Sequence, residues 1–121
     1  MSDKVILITG SRKGIGRYLV ECYCNKEYKV IGISRGNTDF VSSNYEHFCC
    51  DIGEENEVKQ VFKNIRKKYG HLDAVINCAV TNPSVSHFIL IPSNIVSQAY
   101  KTNVFGLMTI CREAVKIMMR K

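Results

Sequence analysis

The stretch "KVILITGSRKGIG", residues 4–16, decides the fold. Its opening "KVILIT" is apolar on both faces, as strands buried in a parallel sheet are. Glycines follow at 10, 14 and 16, and then Ile15, Leu19, Val20 and Tyr23 recur at helical spacing. The pattern predicts a helix from Gly14 to Lys26. A strand passing through spaced glycines into a helix suits a backbone that must approach a phosphate. Gly10 turns the chain off the strand, Gly14 opens the helix and leaves room for a diphosphate, and Gly16 permits close packing on the sheet. The helix start then offers unpaired N–H groups and a partial positive charge. Ser11, Arg12, Lys13 and Ile15 complete this candidate nucleotide-binding turn. The alternative is a turn with a structural role alone.

The rest of the chain repeats the alternation. "YKVIGIS" (28–34) is a second buried strand, and "GNTDFVSSN" (36–44) a polar connection. "YEHFCCD" (45–51) is a third, shorter strand. "GEENEVKQVFKNIRKKYG" (53–70) reads as an amphipathic helix, with acids in its first turn, bases in its last and Gly70 as its stop. "LDAVINCAV" (72–80) is a fourth strand and "TNPSVSHFILIPSN" (81–94) is irregular. A last helix runs from Ser93, as N-cap, toward Met119, with Val96, Tyr100, Val104, Leu107, Cys111 and Val115 along one face. Alternating strands and helices imply α/β architecture: a Rossmann-type doubly wound parallel sheet, covered on both sides. Right-handed crossovers predict the strand order 3-2-1-4.

Composition narrows the function. With 121 residues, 45% of them hydrophobic, the chain forms one globular domain. No apolar run approaches the roughly 18 residues of a membrane span. The start, "MSDKVILITG", lacks the marks of a signal peptide, which predicts a cytoplasmic location. Six cysteines form no Cys-x-x-Cys pair and read as reduced small hydrophobes, so no metal site or disulfide is expected. The net charge of +6 is scattered, with short runs at "RKKYG" and "MMRK". No base-stacking aromatic pattern accompanies it, so it suggests anionic ligands rather than nucleic acid.

A dinucleotide fold reads the ribose about 20 positions past its glycines. That position holds Ser34-Arg35-Gly36. An acid there would bind a free 2′-hydroxyl, whereas an arginine pairs with a 2′-phosphate. Arg12 and Lys13 lie within reach of the same group. Three cations and no acid point to NADP(H) rather than NAD(H).

"TGSRKGIG" resembles the T-G-x-x-x-G-x-G fingerprint of the short-chain dehydrogenase/reductase family, and the likeness runs over nearly the whole chain. "CDI" (50–52) resembles the family's segment after the third strand, which implies that Asp51 binds the adenine amino group and Ile52 packs near the ring. "LDAVINCAV" resembles the strand ending in N-N-A-G, which implies cofactor contacts from Asn77, Cys78 and Ala79. Here Cys78 and Val80 depart from the pattern. "KTNVFG" (101–106) resembles the helix segment carrying the family's catalytic asparagine, which maps onto Asn103.

The resemblance implies carbonyl reduction or alcohol oxidation by hydride transfer, with a Tyr-x-x-x-Lys pair moving the proton. Tyr18, Tyr23, Tyr28, Tyr45, Tyr69 and Tyr100 all lack a lysine four positions on. Asn103 is therefore expected to be catalytic only within a completed enzyme. Residues 1–121 read as an incomplete NADP(H)-binding domain without the catalytic half. Three readings stay open: the N-terminal half of such an oxidoreductase, an NADP(H)-binding module without turnover, and an interaction protein.

The fourth strand's outer edge, left apolar and without a fifth strand, is a pairing site. Homo-oligomerisation or a complementary C-terminal half follows as the expectation. Analytical ultracentrifugation should show the purified chain self-associating with rising concentration, and a monodisperse monomer would contradict this.

Overall fold

The computed structural model describes residues 4–81 and 87–119. Its first strand, β1 (Val5–Thr9), is buried along its whole length, as a run apolar on both faces must be. β1 pairs in parallel with β2 (Lys29–Ser34) on one side and β4 (Ala74–Asn77) on the other. β3 (Tyr45–Cys49) adds to the far side of β2, giving the order β3-β2-β1-β4. Fold class and strand order agree with the sequence reading.

Alternation along β1 divides the core into two layers. Ile6 and Ile8 face Val20 and Cys24 of α1 (Gly14–Asn25). Val5 and Leu7 face Val58, Val61, Phe62 and Ile65 of α2 (Glu55–Tyr69), together with Ile110, Ala114 and Ile117 of the last helix. Helix α2 has Glu55 and Glu57 in its first turn and Arg66, Lys67 and Lys68 in its last. It ends on Gly70 at φ 77°, a left-handed conformation that glycine adopts without strain.

Several boundaries are tighter than the sequence suggested. β3 stops at Cys49, because the Cys50 N–H turns to the Ser34 carbonyl (2.8 Å) and Asp51 begins a turn. β4 covers only Ala74–Asn77 of the expected 72–80. Positions 82–86 of the irregular stretch and 120–121 of the basic ending lie outside the described residues.

The last helix differs more. It consists of α3 (Ser93–Tyr100), a π-helical segment (Lys101–Gly106) and α4 (Leu107–Met118). Pro92, not Ser93, takes the cap position, and its carbonyl accepts the Ile95 N–H at 3.1 Å. The apolar face at 96, 100, 104, 107, 111 and 115 points outward, with Tyr100 58% and Val115 49% exposed. Thr102, Gly106, Thr109, Ile110, Glu113, Ala114 and Ile117 are buried instead. Steric fit chooses this face. A Cβ on Gly106 would stand 2.8 Å from Ile52 Cγ1, so the helix settles its bare backbone against the turn after β3. The cysteines are free, and Cys24 and Cys50 are buried as small hydrophobes. Cys49 and Cys111 are exposed, against that reading, since each lies on a surface that no described element covers. Among the described residues no helix is long and apolar enough to cross a membrane.

Phe62 is fully buried between α2 and the sheet. Phe62→Ala should therefore lower unfolding free energy by about 3–5 kcal/mol, read as a shifted midpoint in urea denaturation.

Candidate functional site

Where β1 ends, the backbone is hung from β2. The N–H groups of Gly10 and Ser11 both donate to the Ile33 carbonyl, at 2.8 and 3.3 Å. Gly10 has φ 66°, and a Cβ there would lie 2.7 Å from the Ala79 nitrogen and from the Cys78 carbonyl carbon. No side chain fits between these strand ends. The buried Thr9 secures the same junction, its hydroxyl oxygen accepting the N–H groups of Cys78 and Ala79, each at 3.1 Å. The sequence reading had not singled out Thr9; its place as the last residue of a buried strand was the signal. Gly16 would carry its Cβ into the Gly10 carbonyl. The close packing foreseen for Gly16 is thus made against the loop itself rather than against the sheet. Around Gly14 nothing stands within 4 Å of a would-be Cβ, so the helix entrance is open. Helix α1 has no capping side chain and no acid in its first turn. Its first N–H groups remain free for an anion.

This loop forms one wall of a cleft of about 570 Å³ at the carboxyl ends of the strands. Gly10, Arg12, Lys13, Gly14, Ile15 and Gly16 line it from the loop, Ser34 and Arg35 from the end of β2, Asp51 and Ile52 from the end of β3, and Cys78 and Ala79 from beyond β4. Residues from four separate segments, nominated on sequence alone, thus share one space. Ile33, Cys50, Val80, Thr81 and Thr102 also line it. Sequence reasoning did not nominate these, although Ile33, Cys50, Val80 and Thr102 each adjoin a nominated residue.

Three nominated residues lie elsewhere. Ser11 is buried beneath the loop. Asn77 directs its amide nitrogen toward Cys111 Sγ at 3.9 Å. Asn103 straps the cleft wall: its Oδ1 accepts the Thr81 N–H and its Nδ2 donates to the Thr81 carbonyl, both at 2.7 Å. It does so from the π-helical segment, a distortion that recurs at functional sites.

The cleft is electropositive by omission as well as by content. Arg12, Lys13 and Arg35 are exposed and form no ion pair among the described residues. Asp39, the acid nearest in sequence to Arg35, is taken by Arg17 at 2.7 Å, a contact that holds its carboxyl below the usual range. Asp51 Oδ1 accepts the Gly53 N–H at 2.9 Å, which shapes the turn after β3. The thiols in the cleft are held in the protonated form. Burial, then the charges of Glu57 and Asp51, push Cys50 up to about 12, and burial raises Cys78. The arrangement has the shape and charge to admit an extended anion.

The sequence model of the short chain dehydrogenase family matches residues 4–121. The chain belongs to that family. The mouse 3-oxoacyl-[acyl-carrier-protein] reductase is 27% identical over 125 residues, covering 98% of this chain and 52% of the relative. Among solved structures, a short chain dehydrogenase from Leptospira borgpetersenii with bound NAD+ superposes with TM-score 0.90 at 24% identity, over 97% of this chain and 46% of that one. That likeness shows the fold. ElxO with NADP bound superposes with TM-score 0.87 at 25% identity, over 97% of this chain and 51% of that one. The chain spans about half the length of the curated relatives it matches.

Asn103→Ala would cut both ties to Thr81. The Thr81 amide should then exchange with deuterium about 3- to 10-fold faster, as measured by hydrogen-exchange NMR, while amides of β1 stay unchanged.

Proposed function

We propose that residues 1–121 form the coenzyme-binding half of an NADP(H)-dependent oxidoreductase that interconverts carbonyls and alcohols. The observation carrying this reading is the convergence of Arg12, Lys13 and Arg35, which form no ion pair among the described residues, on a cleft with an uncapped helix N-terminus in its wall. The residues fit such a coenzyme. The open space at Gly14 leaves the α1 amides free to hold the diphosphate. Arg35, with Arg12 and Lys13, would grip the 2′-phosphate; a guanidinium does so bidentately. Asp51 would accept from the adenine amino group, and Ile52 would pack on the ring. Cys78, Ala79 and the adjoining backbone would border the ribose on the nicotinamide side. When bound, NADP(H) supplies the hydride carrier.

The chemistry of proton transfer falls to residues that this stretch does not supply, since none of its tyrosines is followed by lysine at the fourth position. Asn103 would take part in catalysis only alongside such a pair. Ser11 and Asn77, both in the proposed binding set, would act indirectly, Ser11 by supporting the loop and Asn77 by anchoring the end of β4. A relative with NADP bound favours the same coenzyme, and one with NAD+ bound keeps the distinction a matter for Arg35 to decide. The outward apolar face of α3 and α4 supports the idea that a second copy or a complementary half completes the particle.

Fluorescence titration should show NADPH binding more tightly than NADH. Arg35→Ala should weaken NADPH by about 1–3 kcal/mol and barely affect NADH. No NADPH binding at millimolar concentration would remove the proposal.

A further inference from the structure

Beneath the turn that carries Arg35 lies a histidine with no part in the coenzyme reading so far. His47 sits in the middle of β3, in register with Gly32 of β2, while Cys49 is in register with Ser34. Ser34, His47 and Cys49 thus share one face of the sheet. The Ser34 hydroxyl donates to the Gly36 carbonyl at 2.7 Å. Its single hydrogen is spent there, so the contact between Ser34 Oγ and His47 Nε2, at 2.6 Å, must run from an Nε2–H to the serine oxygen. The bonding partners assign the tautomer. One position further along, Cys49 Sγ donates to Asn37 Oδ1 at 2.9 Å. The segment 34–37 is therefore tied to β3 at two points. From the opposite side the Arg12 guanidinium leans on Gly36, where a Cβ would stand 3.2 Å from Arg12 Cζ. The turn is clasped between a cation of the glycine loop and an imidazole of β3.

We propose that His47 is a positioning residue for the Ser34–Gly36 turn, fixing the backbone from which Arg35 projects, and that its protonation raises the preference for a ribose bearing a 2′-phosphate over one with a free hydroxyl. The inference rests on the NADP(H) reading of the cleft. Its groups are few. Arg12 faces the imidazole from the glycine loop, Ser34 from β2 and Tyr45 from its own strand, with ring centroids 6.4 Å apart. Arg17 of α1 is occupied by Glu21 and Asp39. Glu46, next along β3, bonds Lys68 and Tyr69 of α2, against the other face. Burial, and then the Arg12 charge, hold His47 below its ordinary range, so the free protein keeps it neutral near pH 7. A phosphate dianion in the cleft would offset the Arg12 charge and favour the imidazolium. Proton uptake would then accompany binding, and by linkage the affinity for the 2′-phosphorylated coenzyme rises as pH falls.

The test is a fluorescence titration of the full chain with NADPH and with NADH, between about pH 5.5 and 8. His47→Phe removes both the bond to Ser34 and the titrating group, so it should weaken NADPH about 3- to 10-fold near pH 8 and further near pH 5.5, with NADH changed less than about 2-fold. His47→Gln keeps an N–H donor but cannot titrate. It should match wild type for NADPH near pH 8 and fall about 3- to 10-fold behind it near pH 5.5. The 2′-phosphate itself protonates near about pH 6, equally for both chains, so the comparison cancels it. Parallel wild-type and Gln profiles, or a Phe variant with an unaltered NADPH-to-NADH ratio, would overturn the inference. Should the Phe variant fail to fold, the Gln comparison decides alone. An Arg35→Ala chain that keeps the wild-type ratio would instead sink the coenzyme reading, and this inference with it.

Discussion

The contact on which the molecule depends is backbone against backbone. At Gly10 the chain passes within van der Waals distance of Cys78 and Ala79 while its N–H bonds Ile33. Three parallel strand ends meet there with no side chain between them, and Gly16 closes the loop by resting on the Gly10 carbonyl. This crowding sends the chain out of β1 and back into α1 with the helix start facing the cleft. The free amides, the positions of Arg12 and Lys13, and the opening around Gly14 all follow from that one crossing.

Charge then gives the cleft its character. Several cations elsewhere are matched: Arg17 with Glu21 and Asp39, Lys68 with Glu46, Lys101 with Glu54. Those around the cleft are left unmatched. Exposed pairs contribute little to stability, so their distribution matters more for which ligand is drawn in than for holding the fold. The turn bearing Arg35 is anchored from β3 and touched by Arg12 of the glycine loop, so this part of the cleft is an extension of the sheet and not a free loop.

Much of this was legible in the amino acids. The runs at 4–9 and 28–34 are apolar on both faces, which leaves no option but a covered parallel sheet, and the glycine spacing marks the crossing. Four segments of the cleft could be named because each follows a strand end. What could not be read depends on shape. The stripe at Val96, Tyr100, Val104 and Leu107 is the most apolar face of the last helix, yet Gly106 against Ile52 turns another face inward. Patterns of hydrophobicity carry no information about where a missing side chain lets two backbones touch. Asn103 was found through its motif, but its grip on Thr81 depends on a connection whose path the sequence leaves undefined.

The π-helical segment at Lys101–Gly106 has a consequence for how this chain tolerates change in length. A π turn amounts to one residue more than an α-helix would use over the same span, and each α-helical residue advances the azimuth by about 100°. Losing a single residue there would restore regular winding and leave Ile110, Ala114 and Ile117 on the sheet, because the wide turn already absorbs the extra residue. The same loss at the start of α4 would swing those side chains off the sheet, and Glu113, buried with Lys116 at its carboxylate, would lose its berth. A deletion of one should therefore be better tolerated within these six positions than within α4, where a change of one in the count alters which side of the helix belongs to the interior.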